Sequence, residues 1–312
     1  MRRLILLFAL VFAASASLAE SFVDAGDGVR LWAMERGKGS PIVVIHGGPG
    51  MDHATLAADL TPLERHHRLI YYDQRGGGRS TLPSDPALLT IEHHVRDLEA
   101  VRRHFGLENV TLLAHSFGPA IAALYAIAYP SRVERMIFLG PIPPRKGRFN
   151  EEYSARLQAR LTKEQIERAE KLSFETGDVV AVCREYWSIM TPPRVAKSLS
   201  SNVVKADLCA PPAEAIRFGM TKTNTATFAS LGDWNWTADL AKVTAPVLIL
   251  HGEEDAIPME MVAEWTTALP HARLIRLRET AHFPHAERPK IVFSAIEAFL
   301  RASRSRAATS GE

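Results

Sequence analysis

Short apolar runs recur along the chain, and each stops abruptly at glycine, proline or a charged residue. Residues 42–45, 68–72, 110–113, 135–140 and 245–250 are of this kind. Runs this short and this rich in branched side chains are those of strands buried on both faces of a parallel sheet. Residues 29–35 alternate enough to form another strand, which Gly37-Lys38-Gly39-Ser40 turns into the next, and residues 272–277 supply one more near the end. Between the strands, apolar positions return at helical spacing over 54–65, 90–104, 120–129, 259–269 and 291–300. In the second of these, Thr90 caps a helix whose Ile91, Val95, Leu98, Val101 and Phe105 share one face, and its His93-His94 pair is read as solvated. Residues 120–129 are apolar nearly all round, which predicts a buried helix, with Pro119 in its first turn. Strand and helix alternate, so the expected class is α/β, a mostly parallel sheet with right-handed crossovers.

The rhythm breaks between residues 141 and 242. That stretch carries charged helical patterns (151–161, 163–174, 179–190) and proline breaks at Pro192-Pro193 and Pro211-Pro212, with few strand signals. It reads as a helical insertion lying over the carboxyl ends of the strands, where ligands bind in open α/β sheets. The body is then residues 20–140 and 243–302, followed by a polar tail, 303–312, expected to fray.

The first residues follow a different logic. Met1-Arg2-Arg3, an apolar run over 4–14 and the small residues of Ala16-Ser17-Leu18-Ala19 form the pattern of a cleaved secretory leader, with the mature chain beginning near Glu20. The apolar run is shorter than the ~20 residues a membrane span needs, so no stable membrane insertion is expected after cleavage. The expected location is periplasmic or secreted. That compartment permits Cys183 and Cys209 to pair, the alternative being two buried free thiols. Composition adds exclusions: 37 basic against 35 acidic residues give a net charge of +2, too little for a field that would draw nucleic acid. There is no internal repeat.

The candidate chemistry gathers where strands end. The run 110–113 leads into Ala114-His115-Ser116-Phe117-Gly118, the form of a strained strand-to-helix corner that lifts a serine hydroxyl clear of the sheet, with Ala114 in place of the usual first glycine. Serine needs a base, and the base needs an orienting acid. Asp255 and His282 each follow a strand, and the order serine, acid, histidine is that of one scaffold among the serine hydrolases. Glu253 and Glu254 compete with Asp255, and His285 with His282. Oxyanion donors are expected from the N–H of Phe117 and, in the loop His46-Gly47-Gly48-Pro49-Gly50, from that of Gly48. His46, His115 and His251 are read as bonding local backbone. The loop Asp73-Gln74-Arg75-Gly76-Gly77-Gly78-Arg79-Ser80 lacks the Lys-Ser/Thr of a phosphate cradle, so Asp73 and Arg75 are read as braces for a neighbouring loop.

These motifs, with His251-Gly252-Glu253-Glu254-Asp255 and Ala281-His282-Phe283-Pro284, resemble the α/β-hydrolase superfamily, and within it the proline iminopeptidase-like group. The resemblance covers residues 29–300 apart from the insertion. It implies an α/β-hydrolase fold with a helical cap inserted after the sixth strand, Ser116 as nucleophile with Asp255 and His282 as its relay, no metal and no cofactor. It implies aminopeptidase action on small peptides, the alternatives being a carboxylesterase, lactonase or amidase, acyl transfer, or a binding protein without turnover. Members of that group carry a cap glutamate, in a W-x-x-W-E-like segment, that binds the substrate amine. Here the matching stretch is Trp187-Ser188-Ile189-Met190-Thr191, with Thr191 at the glutamate position. Glu185, Asp207, Glu214 and Asp233 are the nearby acids. Trp187, Thr191 and Trp234 are candidate substrate contacts, although Trp234 and Trp236 have the alternative of holding cap to body. Oligomeric state is not legible. Activity is expected to fall as His282 protonates, because only neutral imidazole takes the serine proton.

Overall fold

The structure is a computed structural model, and it describes residues 20–309, so the expected leader lies outside the described residues. Eight strands form one sheet in the order β1-β2-β4-β3-β5-β6-β7-β8. They are β1 (Glu20–Asp24), β2 (Arg30–Gly37), β3 (Ser40–Ile45), β4 (His67–Tyr72), β5 (Val110–His115), β6 (Val133–Leu139), β7 (Val247–Gly252) and β8 (Ala272–Leu277). From β4 to β8 every pairing is parallel; β1–β2 and β2–β4 are antiparallel. β1 falls where no strand was expected: its sequence has one buried residue, Val23, and pairing with β2 rather than its own pattern makes it a strand.

The uninterrupted apolar runs have the cause their pattern implied. In β3, Val43 and Ile45 join the apolar cluster on one face of the sheet, while Ile42 and Val44 join the cluster on the other. Leu112 and Ala114 of β5 face the first cluster and Leu113 the second. Helices cover both sides: α1 (Ala54–Ala57), α2 (Ile91–His104), α3 (Gly118–Ala128), then α4 to α9 of the insertion, α10 (Met259–Ala268), α11 (Pro284–Glu287) and α12 (Pro289–Thr309). The first cluster packs under α2, α3 and α10, and the second under α1 and α12.

Several boundaries differ from expectation. The helix over 54–65 splits into α1 and a 3₁₀ turn, Thr61–Arg65, because Pro62 lacks the N–H a continuous helix needs. Thr90 precedes α2, but its hydroxyl bonds the His93 ring and not a helix N–H. His94 is buried, not solvated: it meets Thr227 Oγ1 at 3.2 Å, a partner 133 residues away that local spacing does not reveal. The last helix runs on to Thr309, past residue 300.

Between β6 and β7 lie α4 (Phe149–Gln158), α5 (Lys163–Glu170), α6 (Val179–Met190), α7 (Ala213–Phe218), α8 (Asn224–Leu231) and α9 (Thr237–Leu240). Gly219–Thr223, a π-helical turn, joins α7 to α8. The two ends of this insertion close on each other through an isolated bridge between Arg145 and Asn235 and the bonds Lys146 N–H to Trp234 O and Trp236 N–H to Pro144 O. Cys183 of α6 and Cys209 are joined as a disulfide. Among the described residues, no helix is long and apolar enough to cross a membrane.

Candidate active site

β5 delivers Ser116 to the sheet edge. The residue adopts φ 59°, a left-handed conformation that costs an L-amino acid about 1–2 kcal/mol and ends the strand at His115. Tertiary bonds hold it there: Ser116 N–H donates to Leu139 O, and Ser116 O accepts from Ile142 N–H, both at 2.9 Å. The small neighbours are a packing requirement. A Cβ on Gly118 would meet Ile45 O at 2.6 Å, and one on Gly47 would meet Ser116 Cβ at 2.8 Å. Ala114 sits in regular β5 structure between Ile45 and Phe138 and is fully buried, so the first small position needs no positive φ.

The loops after β8 and β7 bring two more side chains to this corner. His282 Nε2 lies 3.0 Å from Ser116 Oγ, and its Nδ1 lies 2.9 Å from Asp255 Oδ2. Asp255 Oδ1 accepts the N–H of Ile257 at 3.0 Å. Burial alone would raise the Asp255 pKa; the imidazoles of His282 and His251 and the Ile257 N–H outweigh it and hold the carboxyl below its usual value. Glu253 and Glu254 stay away from the ring, Glu254 accepting the N–H of Lys197 instead. His285 is buried with its ring 5.1 Å from His115, and burial pushes it down to about 3.

At the head of the site, the N–H groups of Phe117 and Gly48 donate to no protein acceptor among the described residues. The Phe117 ring meets Phe228 of α8 edge-on at 5.0 Å, and Gly219 lies against Gly50, where a Cβ would come within 2.0 Å of Gly50 O. The insertion thus rests on the glycine loop. Chemically, a hydroxyl bonded to an imidazole that is braced by a buried carboxylate can lose its proton as it attacks an acyl carbon, and the N–H of Phe117, next in the chain, is free to donate to a developing oxyanion.

Residues 40–289 match the family described as the alpha/beta hydrolase fold. The chain belongs to that family. It is similar to the proline iminopeptidase of Heyndrickxia coagulans, 27% identical over 275 residues that cover 85% of this chain and 92% of the relative. A second proline iminopeptidase, from Saccharolobus solfataricus, is 27% identical over 85% of this chain and 86% of its own length. Among solved structures, the proline iminopeptidase of Mycobacterium smegmatis superposes with a TM-score of 0.69 at 24% identity, over 93% of this chain and 100% of that one. A thermophilic esterase from Thermogutta terrifontis does so equally well, with a TM-score of 0.69 at 22% identity over 91% of this chain and 99% of that one. The chain is a hydrolase, and its relatives include several proline iminopeptidases.

The remaining candidate residues of this hydrolase separate by location. Trp234 belongs to the neck of the insertion: it is buried, its Nε1–H donates to Pro143 O at 3.1 Å, and its ring packs on Phe149 and Trp236. Trp187 and Thr191 line an open groove of about 450 Å³ with Arg184, Asn202 and Asp207. Glu185 pairs with Arg168, while Glu214 and Asp233 are exposed. Two of the three structural histidines bond local backbone, His46 to Gly47 O and His251 to Ile257 O, whereas His115 bonds His282 O, 167 residues away, a partner that only the packed sheet edge supplies.

The brace around Arg75 is real and buried. Its guanidinium donates to Asp97, Asp27 and Leu88 O, tying the loop after β4 to α2. Asp52, His53 and Asp73 place ligand atoms within 4.8 Å of one another, a spacing a metal ion could use. Asp73 is already engaged, however, by the His53 N–H, His53 Nδ1 and the Arg79 N–H, and so acts as a loop brace.

Glu287 went unremarked in the sequence, standing in a loop already crowded with candidate residues. It is buried and accepts three backbone N–H groups, from Ala196, Ala281 and Phe283. A lone glutamate six residues beyond an alanine carries no local signal of this.

Proposed function

We propose that the protein is a serine hydrolase working through an acyl-enzyme. Ser116 attacks the acyl carbon, His282 takes its proton and passes it to the leaving group, and Asp255 orients the ring and stabilises its charged form. The N–H groups of Phe117 and Gly48 receive the oxyanion, each worth ~3 kcal/mol in the transition state. A water deprotonated by His282 then releases the acyl group. The observation that carries this reading is the unbroken chain Asp255–His282–Ser116, at 2.9 and 3.0 Å, ending on a serine at positive φ. A fluorophosphonate probe tests it: Ser116 should label in folded protein, and absence of labelling there counts against the mechanism.

For substrate, the relatives named above support an aminopeptidase of the proline iminopeptidase type, releasing an N-terminal residue from small peptides. A second reading, a carboxylesterase, lactonase or amidase, is favoured by Thr191, which offers no charge to a substrate amine, and by the esterase-like fold match. Aminoacyl arylamides set against short acyl esters separate the two; turnover of esters alone removes the aminopeptidase version. The leader pattern of residues 1–19 supports export, which cell fractionation tests.

A further inference from the structure

We infer that Glu287 is a positioning residue that locks the backbone on both sides of His282 and, with the same carboxylate, fastens the insertion loop beside it. The inference rests on His282 acting as the base for Ser116. Glu287 Oε1 accepts the N–H of Phe283 at 2.9 Å, and Oε2 accepts those of Ala281 at 2.9 Å and Ala196 at 2.8 Å. The Phe283 N–H lies in the peptide plane that follows the His282 Cα, and the Ala281 N–H in the plane that precedes the Ala281 Cα, so one planar group holds the backbone on both sides of His282. The plane between them is held by the His282 N–H on Arg194 O. Only the two side-chain torsions of His282 remain, and Asp255 and Ser116 set those.

The third bond extends the lock to the insertion. Ala196 belongs to the segment after α6, and the neighbouring Arg194 accepts the N–H of His282 itself at 3.0 Å. The same segment is tied to the loop that carries the acid: Arg160 donates to both Val195 O and Glu254 O, and Lys197 N–H donates to Glu254. Histidine loop, acid loop and insertion segment therefore form one bonded unit centred on Glu287.

The side-chain chemistry is specific to a carboxylate. Among the described residues no cation pairs with Glu287; burial raises its pKa, the three backbone N–H groups work against that rise, and Asp255 adds to it. Three converging donors need an acceptor at every contact. Glutamine supplies one oxygen and an NH₂ group, so one or two of the three N–H groups would face another donor and turn away. A small displacement there matters, since about 1 Å of misplacement can cost about 100-fold in rate.

The test compares Glu287→Gln, Glu287→Asp and Val262→Ala in the full-length protein. Val262 is fully buried in α10, and its truncation destabilises the body without touching the site. Turnover of an ester or arylamide is read together with the downfield NMR signal of the His282 Nδ1–H bonded to Asp255. Glu287→Gln should lower kcat about 10- to 100-fold with KM changed less than about threefold, and shift or broaden that signal. Val262→Ala should keep both at wild-type values. Wild-type kcat with an unchanged signal in folded Glu287→Gln overturns the inference, as does an equal loss in Val262→Ala. Should Glu287→Gln not fold, Glu287→Asp decides. Its carboxylate, one methylene short, should give a partial kcat loss, and a wild-type rate overturns the inference. Turnover surviving Ser116→Ala would instead sink the Ser116 mechanism, a result separable from these because the NMR signal reports the Glu287 lock without turnover.

Discussion

The sheet body and the helical insertion are held together by different forces. In the body, two large apolar clusters sandwich the sheet, and the loops at its carboxyl edge are fixed by buried polar groups: Arg75 on Asp97, Asp73 on His53, Asp255 on His282. The insertion has one small cluster of its own, around Cys183, and shares a second, around Ile189, with Ala256 of the body, and it draws on a disulfide, a closed neck and surface ion pairs. A rigid edge suits groups that must meet within hydrogen-bond distance. The insertion is more lightly built, and Trp187 and Thr191 lie there in an open groove whose lining includes none of Ser116, Asp255 and His282.

Breaking the body at its chemical centre should have the largest effect. Ser116→Ala is expected to lower kcat/KM by about 10⁴-fold or more while leaving the far-UV spectrum intact. Steady-state kinetics beside circular dichroism would check it, and a variant that keeps wild-type turnover removes the nucleophile assignment.

Acid should destabilise the body progressively. Burial depresses His46 to about 4, and His94 and His285 to about 3; His115 and His251 are lowered too. Between those values and ~6.5 the unfolded chain binds more protons than the native one, so stability is whole above that window and is lost as pH falls through it. Asp52 works the other way: burial and Asp73 raise it to about 7, so below that pH it favours the native state. Asp97, raised by burial to about 6, and Asp59, Glu64 and Glu287, also raised by burial, act in the same sense as Asp52. The five buried rings, His115 well below its usual value, outweigh them, and the urea midpoint should fall from pH 6.5 towards 4. A midpoint flat over that range contradicts the burial of these rings.

Removing the Arg75 brace should be costly in a way no surface change is. Arg75→Met leaves Asp97 buried without its partner, with a loss of about 3–5 kcal/mol by chemical denaturation. The insertion should respond less. Replacing Cys183 and Cys209 by serine opens a loop spanning 26 residues and should cost about 3.5 kcal/mol at most, concentrated in faster proteolysis of the insertion. Smallest of all, Arg156→Gln removes an exposed pair with Glu260 and should change stability by under about 1 kcal/mol. A larger cost there would mean that surface contacts hold the insertion more firmly than its exposed pairs imply.

How much could be read in advance follows the same division. Strands β3 to β8 were legible because burial on both faces leaves a pattern in consecutive residues. Ser116, Asp255 and His282 were legible because each stands directly after such a strand. β1 was not, since an edge strand with one buried residue has no pattern of its own. Nor was the burial of His94, which depends on a threonine of α8.

By itself the sequence determined the α/β order and that Ser116, Asp255 and His282 stand at strand ends along one edge of the sheet, because local periodicity and chain order carry that information. Tertiary structure alone decided that His94 is buried against Thr227, that Trp234 closes the neck, and that Glu287 grips the loop around His282. Those outcomes depend on backbone donors and partners brought together from distant parts of the chain. A distance between such groups is a property of the packed molecule that no local pattern encodes.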